Sequence, residues 1–226
     1  MPGLPTPTGQ IQTPGLIWCE GPNDFAFFRR MVGYLGLNDR LRVEQFEGKP
    51  NIPTYLEIIR LRPGFSELKA LGIVRDADED AAGALQSVQH HLRLNGLVAP
   101  VRAGAPEAGV CFDGLVRSVG IFLAPDGLER GALESLYLRS IELSPTVDCA
   151  KAFMQCVTPH LQSSLVAHLA KVEFYTWLAA SESPGILPGQ AMDANIIDRN
   201  NPAFDPIKAF LTQLAAAAEA SDQRDT

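Results

Sequence analysis

Two short acidic motifs contain the side chains best suited to chemistry. Glu20 and Gly21 follow the run LIWC, and Asp76 and Asp78 follow the run LGIVR. In open α/β sheets, ligands bind beyond the carboxyl ends of the strands, so carboxylates at two such ends can meet. Residues two apart on an extended backbone also point to the same face. Because Mg²⁺ and Mn²⁺ prefer carboxylate oxygens, we expect Glu20, Asp76 and Asp78 to form a metal site.

These charges also predict an electrostatic conflict. If the three carboxylates converge without a metal ion, their mutual repulsion disfavours the ionised forms and raises the pKa of at least one of them. The alternative is a solvated surface loop, in which each carboxylate is exposed or caps a helix.

Three other interpretations of the acidic motif fail on spacing. An EF-hand loop beginning at Asp76 needs Gly and Glu where Ala81 and Ser87 stand. A haloacid-dehalogenase phosphatase needs Thr or Val where Asp80 stands. The P-loop pattern G-x-x-x-x-G-K-[ST] is absent from the sequence.

The order of apolar and amphipathic segments predicts the fold class. Short apolar runs alternate with helical patterns over the first half of the chain, which indicates βαβ units and a mainly parallel sheet flanked by helices. Asn23 or Asp24 is suited to cap the first helix. The predicted strands are 15–21, 40–48, 70–74 and 117–125, with short strands or a hairpin at 98–104 and 109–114. The predicted helices of this half are 22–37, 51–62 and 81–96.

The second half of the chain has a different pattern, because residues 131–221 are almost wholly helical in character. We therefore expect an α/β fold with a helical C-terminal half. The predicted parts are a flexible Pro/Gly-rich tail at 1–14, an α/β core at 15–130, and a helical region at 131–226 that packs on the core.

Composition limits the classes of function. The chain has 226 residues, of which 46% are hydrophobic and 20% are charged, and its net charge is −7. Such an acidic protein does not attract a phosphate backbone by its overall field. The first residues lack the basic head and apolar core of a secretion signal, and no apolar stretch approaches the roughly 18 residues of a membrane span. We expect a cytoplasmic protein with no membrane partner.

Cysteine and histidine usage does not predict zinc. The four cysteines include no C-x-x-C pair, and the four histidines form no ligand spacing with them. Their apolar sequence contexts predict that Cys19, Cys111, Cys149 and Cys156 are buried and reduced.

Two segments resemble a known family. LIWCEGPNDFAFF and LGIVRDADED resemble the Toprim domain, which topoisomerases, primases, recombination mediators and the overcoming-lysogenization-defect (OLD) nucleases share. The stretches VGIFLAPDGLERGALESLYLRSI and KVEFYTWLAASESPG resemble more narrowly a bacterial Toprim-related family of unknown function. The catalytic-tyrosine context of topoisomerases and the ATPase half of OLD nucleases have no counterpart here.

The resemblance implies roles for individual residues. Glu20 matches the Toprim glutamate, which binds metal or acts as general acid or base, and Asp76 and Asp78 match the aspartates that hold Mg²⁺. Further acidic groups in OLD-like members help to bind a second metal, for which Asp126 and Glu134 are the candidates. Lys171 is the candidate for the positive group near the scissile phosphate. The alternative for Glu134 is a carboxylate in the first turn of a helix, where the helix dipole favours negative charge. The alternative for Lys171 is a solvated lysine.

Three functions remain open at this point. The first is Mg²⁺- or Mn²⁺-dependent phosphodiester chemistry on nucleic acid, and the second is a non-catalytic module that binds a nucleotide, nucleic acid or a protein. The third is a helical interaction protein in which the acidic cluster has no role. If nucleic acid binds, some of the densest basic positions are expected to rim the acidic cleft: Arg29, Arg30, Arg40, Arg42, Arg60 and Arg62.

Overall fold

The computed structural model describes residues 9–46, 48–160 and 169–220. These residues form a mixed α/β fold whose helices dominate the C-terminal portion. The strands are β1 (Gly15–Cys19), β2 (Leu41–Gln45), β3 (Ala70–Asp76), β4 (Pro106–Val110) and β5 (Val116–Ala124). The helices are α1 (Pro22–Tyr34), α2 (Ile52–Ile59), α3 (Ala81–Leu94), α4 (Leu133–Ser140), α5 (Val147–Val157), α6 (Leu169–Ala179), α7 (Pro188–Asp193) and α8 (Asp205–Glu219).

The five strands form one sheet in the order β2-β1-β3-β5-β4. The pairs β1–β2, β1–β3 and β3–β5 are parallel, and β4 is the antiparallel edge strand. The predicted α/β class with a mainly parallel sheet and a helical C-terminal portion is confirmed.

Helices cover both faces of the sheet, so its central strands are apolar on both sides. Along β1, Leu16 and Trp18 face a core that α2 and α3 complete. Ile17 and Cys19 face the opposite core, which contains buried side chains of α1, α4, α5, α6, α7 and α8. The helical region is therefore packed on the sheet, although its division from the core at residue 130 stays a prediction.

Two glycines allow α8 to lie close against the middle of the sheet. A Cβ atom on Gly72 of β3 would stand 2.7 Å from Leu214 Cδ2, and one on Gly120 of β5 would stand 2.7 Å from Phe210 Cε2. Any larger residue at these positions would overlap with α8. The paired glycines thus fix where this helix can sit.

Several local predictions were wrong. The helix α2 ends at Ile59, whereas the sequence predicts helix up to Pro63; proline disfavours helical backbone at the residue before it. The strand β3 continues to Asp76 but no further, because Asp78 has φ +53°. Gly21 stands at the N-cap of α1, and Asp24 lies at its third position.

The described part of the predicted tail is held against the fold. Ile11 is buried, and its N–H donates a hydrogen bond to the carbonyl of Pro63. The carbonyl of Gly9 accepts hydrogen bonds from the Arg62 guanidinium. The rest of the predicted tail, residues 1–8, lies outside the described residues.

The cysteine prediction is confirmed for two residues and wrong for two. All four cysteines are free, and Cys19 and Cys111 are buried as expected. Cys149 and Cys156 are exposed. They lie on α5, whose buried face uses Val147, Ala150 and Met154 instead.

Substitution of Gly120 tests the close packing of α8. We expect Gly120→Ala to lower the free energy of unfolding by roughly 1–3 kcal/mol, because the new methyl group overlaps with Phe210. Phe210→Leu should cost less in the Gly120→Ala background than in the wild-type protein, since the smaller side chain relieves the overlap. Urea unfolding of the four proteins measures both effects.

The matched control is Gly33→Ala, since Gly33 lies in α1 and a Cβ atom there meets only Asn38 at an ordinary contact distance. That substitution is expected to be neutral or stabilising. A Gly120→Ala protein as stable as the wild type would contradict the account of α8.

Candidate functional site

The register of two neighbouring strands brings Glu20 and Asp76 together. β1 and β3 pair in parallel with Cys19 opposite Val74, so Glu20 follows directly after β1 where β3 reaches its last residue, Asp76. The backbone of Asp76 interacts with the Glu20 carboxylate and lowers its pKa. The prediction that these two strands are neighbours is confirmed.

Two helices begin at the same edge of the sheet and add two more carboxylates. Asp24 lies in the first turn of α1, where its Oδ2 accepts a hydrogen bond of 3.0 Å from the Gly21 N–H. Glu134 lies in the first turn of α4 and is 8% exposed. The N–H of the preceding residue, Leu133, donates a hydrogen bond of 3.0 Å to Asp76 Oδ1. Glu20, Asp24, Asp76 and Glu134 are called the acidic cluster below.

The pKa values of Asp76 and Asp24 show how strongly these two carboxyl groups oppose ionisation. Burial, the largest cause, and the charges of Asp24, Glu134 and Glu20 together raise the pKa of Asp76 to about 8, against the Leu133 hydrogen bond. Burial and the charges of Glu134 and Glu20 together raise the pKa of Asp24 to about 6, against the Gly21 hydrogen bond and the Lys171 charge. The expected repulsion among carboxylates is therefore present in the protein without metal.

Glu20 is the member of the cluster on which the charges of Lys49 and Arg75 act. Burial raises its pKa, Lys49 and Arg75 lower it, and Asp78 raises it again. Its Oε2 atom is buried and has no hydrogen-bond partner among the described residues. An unpaired buried oxygen is costly, so this atom has free capacity for a cation or a proton.

Asp78 does not point with Asp76, contrary to the sequence-based prediction. Its left-handed backbone turns the chain, and its N–H and C=O pair with the backbone of Gly131. The Asp78 carboxylate contacts the Lys49 ammonium and lies 3.5 Å from Arg75 Nη2. It thus lies on the basic side of the cluster while Asp76 faces α4.

Lys171 lies beside the cluster. Its Nζ atom is 3.6 Å from Glu134 Oε1, so α6 places a positive charge next to the acidic groups. Tyr137 is buried nearby, and its hydroxyl has no hydrogen-bond partner within the described ranges. Burial and the charges of Asp24 and Glu134 raise its pKa well above the ordinary value, which keeps this hydroxyl neutral.

The structure does not bring Asp126 to the cluster. Its Oδ1 accepts hydrogen bonds from the N–H groups of Leu128 and Glu129, and its Oδ2 lies 2.9 Å from Arg139 Nη1. Burial raises the pKa of Asp126, but these hydrogen bonds and the Arg139 charge outweigh it and lower the pKa. Its carboxylate therefore stabilises a turn and an ion pair.

A divalent cation fits the acidic cluster by ligand type. All four members supply carboxylate oxygens, which suit Mg²⁺ and Mn²⁺, and Glu20 Oε2 has no hydrogen-bond partner in the part of the chain that the structure describes. Within residues 9–46, 48–160 and 169–220, however, no group of three or more His, Cys, Asp or Glu side chains stands close enough to hold an ion as placed. Bringing these oxygens to coordination distance would require side-chain movement and the loss of the protons that the raised pKa values of Asp76 and Asp24 favour.

The predicted basic rim is dispersed. Four of the six arginines have partners elsewhere: Arg30 with Asp193, Arg40 with Glu219, Arg62 with Glu44, and Arg60 over the ring of Phe112. Arg29 and Arg42 line a groove beside β2. The cation that lies nearest the acidic edge from this part of the chain is Lys49.

Sequence reasoning missed two residues of the site. Asp24 was interpreted only as a helix cap, although its position four residues after Glu20, in the first turn of the next helix, brings it back to the strand end. Lys49 follows β2, which pairs with β1, and the N–H of Gly48 donates to the carbonyl of Glu20. The sequence signal for Lys49 was its position after β2, because the carboxyl end of β2 lies at the same edge of the sheet as the ends of β1 and β3.

Comparison with known proteins identifies the family. A family model described as "Protein of unknown function (DUF3226)" matches residues 14–216. The chain belongs to this family. No curated protein matches the chain in sequence. Among solved structures, the chain is similar to the C-terminal region of the OLD protein of Xanthomonas campestris pv. campestris, with 15% identity and a TM-score of 0.34 over 92% of this chain and 87% of that one.

The helices of the described residues were also compared with the length of a bilayer. None of them is both long and apolar enough to span a membrane.

The raised pKa of Asp76 predicts a pH-dependent stability. Between the unfolded pKa near 3.9 and the folded value of about 8, the folded protein binds the Asp76 proton and the unfolded chain does not. Stability from this group is therefore lost as pH rises. Relative to Asp76→Asn, the wild type should lose up to about 1.4 kcal/mol per pH unit over this range. Urea unfolding in EDTA at pH 5, 6, 7 and 8 measures the difference.

Asp126→Asn is the matched control, because the pKa of Asp126 is lowered. The stability that the Asp126 carboxylate contributes is fully present above the pH range in which aspartate ordinarily titrates. The difference in unfolding free energy between this variant and the wild type should therefore stay constant from pH 5 to 8. A constant difference for Asp76→Asn as well would show that Asp76 does not carry the electrostatic conflict.

Proposed function

We propose that this protein is a Mg²⁺- or Mn²⁺-dependent protein that cleaves phosphodiesters or transfers phosphoryl groups on nucleic acid. The observation that carries the proposal is the convergence of Glu20, Asp24, Asp76 and Glu134 at the carboxyl edge of the sheet, together with a buried Glu20 oxygen that has no partner among the described residues. Such a site lowers stability unless a ligand offsets its charge. The sequence resemblance to Toprim nucleases points to the same chemistry.

The acidic cluster would hold the cation. When bound, Mg²⁺ supplies a Lewis acid that polarises a phosphoryl oxygen and lowers the pKa of water. Asp78 would join the ligands only after it leaves Lys49, since its carboxylate now contacts the Lys49 ammonium. Asp126 is not included in the proposed set, because Arg139 already neutralises its charge.

Three side chains would act directly on the substrate. Glu20 has a raised pKa and an oxygen without a hydrogen-bond partner among the described residues, which suits a general acid or base. Lys171 is 52% exposed in its side chain, so its ammonium can contact a phosphate oxygen while it remains beside Glu134. Lys49 is placed to do the same from the β2 side. Both lysines would offset the negative charge of the substrate phosphate, which the acidic cluster repels.

A cleft of about 320 Å³ adjoins Asp78 on the side of α3. Its lining includes Arg75, Asp78, Glu79 and Asp80, and it is therefore acidic on balance. A phosphate group could enter it only with a cation present, which agrees with a metal-dependent reaction.

A non-catalytic module is the second candidate function. One observation favours it: among the described residues, no three potential ligands stand at binding distance of a common ion. In this case the cluster would bind a metal, nucleotide or partner without chemistry, and Lys49 would act as its permanent counter-ion.

A cleavage assay separates the two candidates. Labelled single-stranded DNA, single-stranded RNA and supercoiled plasmid are incubated with the protein in Mg²⁺, Mn²⁺ or EDTA. We expect metal-dependent cleavage of at least one substrate, and a rate that falls about 10²- to 10⁴-fold in Glu20→Gln because proton transfer is lost. Asp24→Asn and Asp76→Asn should also lose activity, because each removes a proposed ligand.

Asp126→Asn serves as the control and should keep nearly the wild-type rate. Cleavage that persists in EDTA, or that is equal in Glu20→Gln and wild type, would contradict the catalytic proposal. A protein that binds metal but cleaves none of the three substrates would support the non-catalytic module.

A further inference from the structure

A groove of about 400 Å³ runs along the outer side of the edge strand β2. Leu41, Arg42 and Val43 of β2 form one wall, and Phe25 and Arg29 of α1 form the other. Arg29 and Arg42 are the charged residues among the described side chains that line it, and none is Asp or Glu. This local positive charge stands out on a chain whose net charge is −7.

The two arginines keep their charge available. Arg29 is exposed, and its guanidinium lies 5.7 Å from the centre of the Phe25 ring; within the described part of the chain it has no acidic partner. Arg42 Nε is 3.3 Å from Glu44 Oε1. The Glu44 carboxylate, however, already accepts hydrogen bonds of 2.6 and 2.9 Å from the buried Arg62. Arg42 is therefore only a secondary partner of Glu44.

The groove and the acidic cluster share helix α1. Phe25 follows Asp24 directly on α1, and Arg29 lies one helical turn further, about 6 Å along the axis. The lining continues from these residues to Leu41, Arg42 and Val43 of β2. A chain bound in the groove would therefore contact the same helix that carries Asp24.

We propose that this groove binds single-stranded nucleic acid, with phosphates on Arg29 and Arg42 and a base against the flat surface of Phe25 and the Arg29 guanidinium. Positive charges that follow a backbone, together with an aromatic face for stacking, are the features that bind single strands without sequence preference. Space for one chain between a helix and a strand edge favours a single strand over a duplex. The inference extends the proposed function by giving the substrate strand its path.

The test measures binding without metal, so that it does not depend on cleavage. A short fluorescein-labelled oligothymidylate is titrated with the protein in EDTA, and anisotropy is recorded at several salt concentrations. The double variant Arg29→Gln/Arg42→Gln should bind about tenfold more weakly. Its plot of log affinity against log salt should be shallower by about 1.4, since two phosphate contacts are lost at about 0.7 each.

Two control proteins isolate the effect of charge in the groove. Arg29→Lys/Arg42→Lys keeps both charges and should retain most of the affinity. Arg93→Gln removes an exposed arginine from the end of α3, on the other face of the sheet, and should bind as the wild type does. Melting temperatures of all variants confirm that each remains folded.

Unlabelled competitors identify the occupant. Single-stranded DNA should displace the probe at lower concentration than duplex DNA or polyglutamate. Equal displacement by duplex would overturn the single-strand assignment, and equal displacement by polyglutamate would show a groove for acidic peptides. Unchanged affinity and salt dependence in the double glutamine variant would overturn the groove itself, whereas absent cleavage with intact binding would contradict only the proposed reaction.

Discussion

Repulsion among carboxylates held at one edge of the sheet is the constraint on which the site depends. The register of β1 and β3 fixes Glu20 against Asp76, and two helix starts bring Asp24 and Glu134 to the same place. Burial disfavours the ionised form of Asp76, and the neighbouring carboxylates add to this effect, so the pKa of Asp76 rises to about 8. The fold alone does not require this arrangement, because uncharged side chains could fill the same positions without repulsion.

Both halves of the chain supply the site. Glu20, Asp24 and Asp76 come from the α/β half, whereas Glu134 and the partly exposed Lys171 come from the helical region. The helical region is held in place through α8, which packs closely over Gly72 and Gly120. A change in that packing would therefore reach the site through the position of the helices, even though α8 contributes none of its carboxylates.

The sequence was most informative where local pattern and topology agree. The apolar run of β3 and the strand-helix alternation predicted a parallel sheet with Glu20 and Asp76 at neighbouring strand ends, and that much is confirmed. Asp78 was misplaced because a single left-handed residue turns its side chain away, and spacing cannot show such a change of backbone. Asp126 was suggested by resemblance, but Arg139, thirteen residues later, neutralises it. The same limit applies to Lys49, whose approach to Asp78 is set by the pairing of β2 with β1.

The most direct test of the account is whether a divalent cation relieves the repulsion. Thermal melts of the wild type, Asp76→Asn and Asp126→Asn are compared at pH 8 and fixed ionic strength, with EDTA, Mg²⁺ or Mn²⁺. At a hundredfold excess over Kd, the metal should stabilise the wild type and Asp126→Asn by about 2.7 kcal/mol, and Asp76→Asn should lose most of that gain. Equal shifts in all three proteins, or no shift in the wild type, would contradict the claim that the acidic cluster is a metal site.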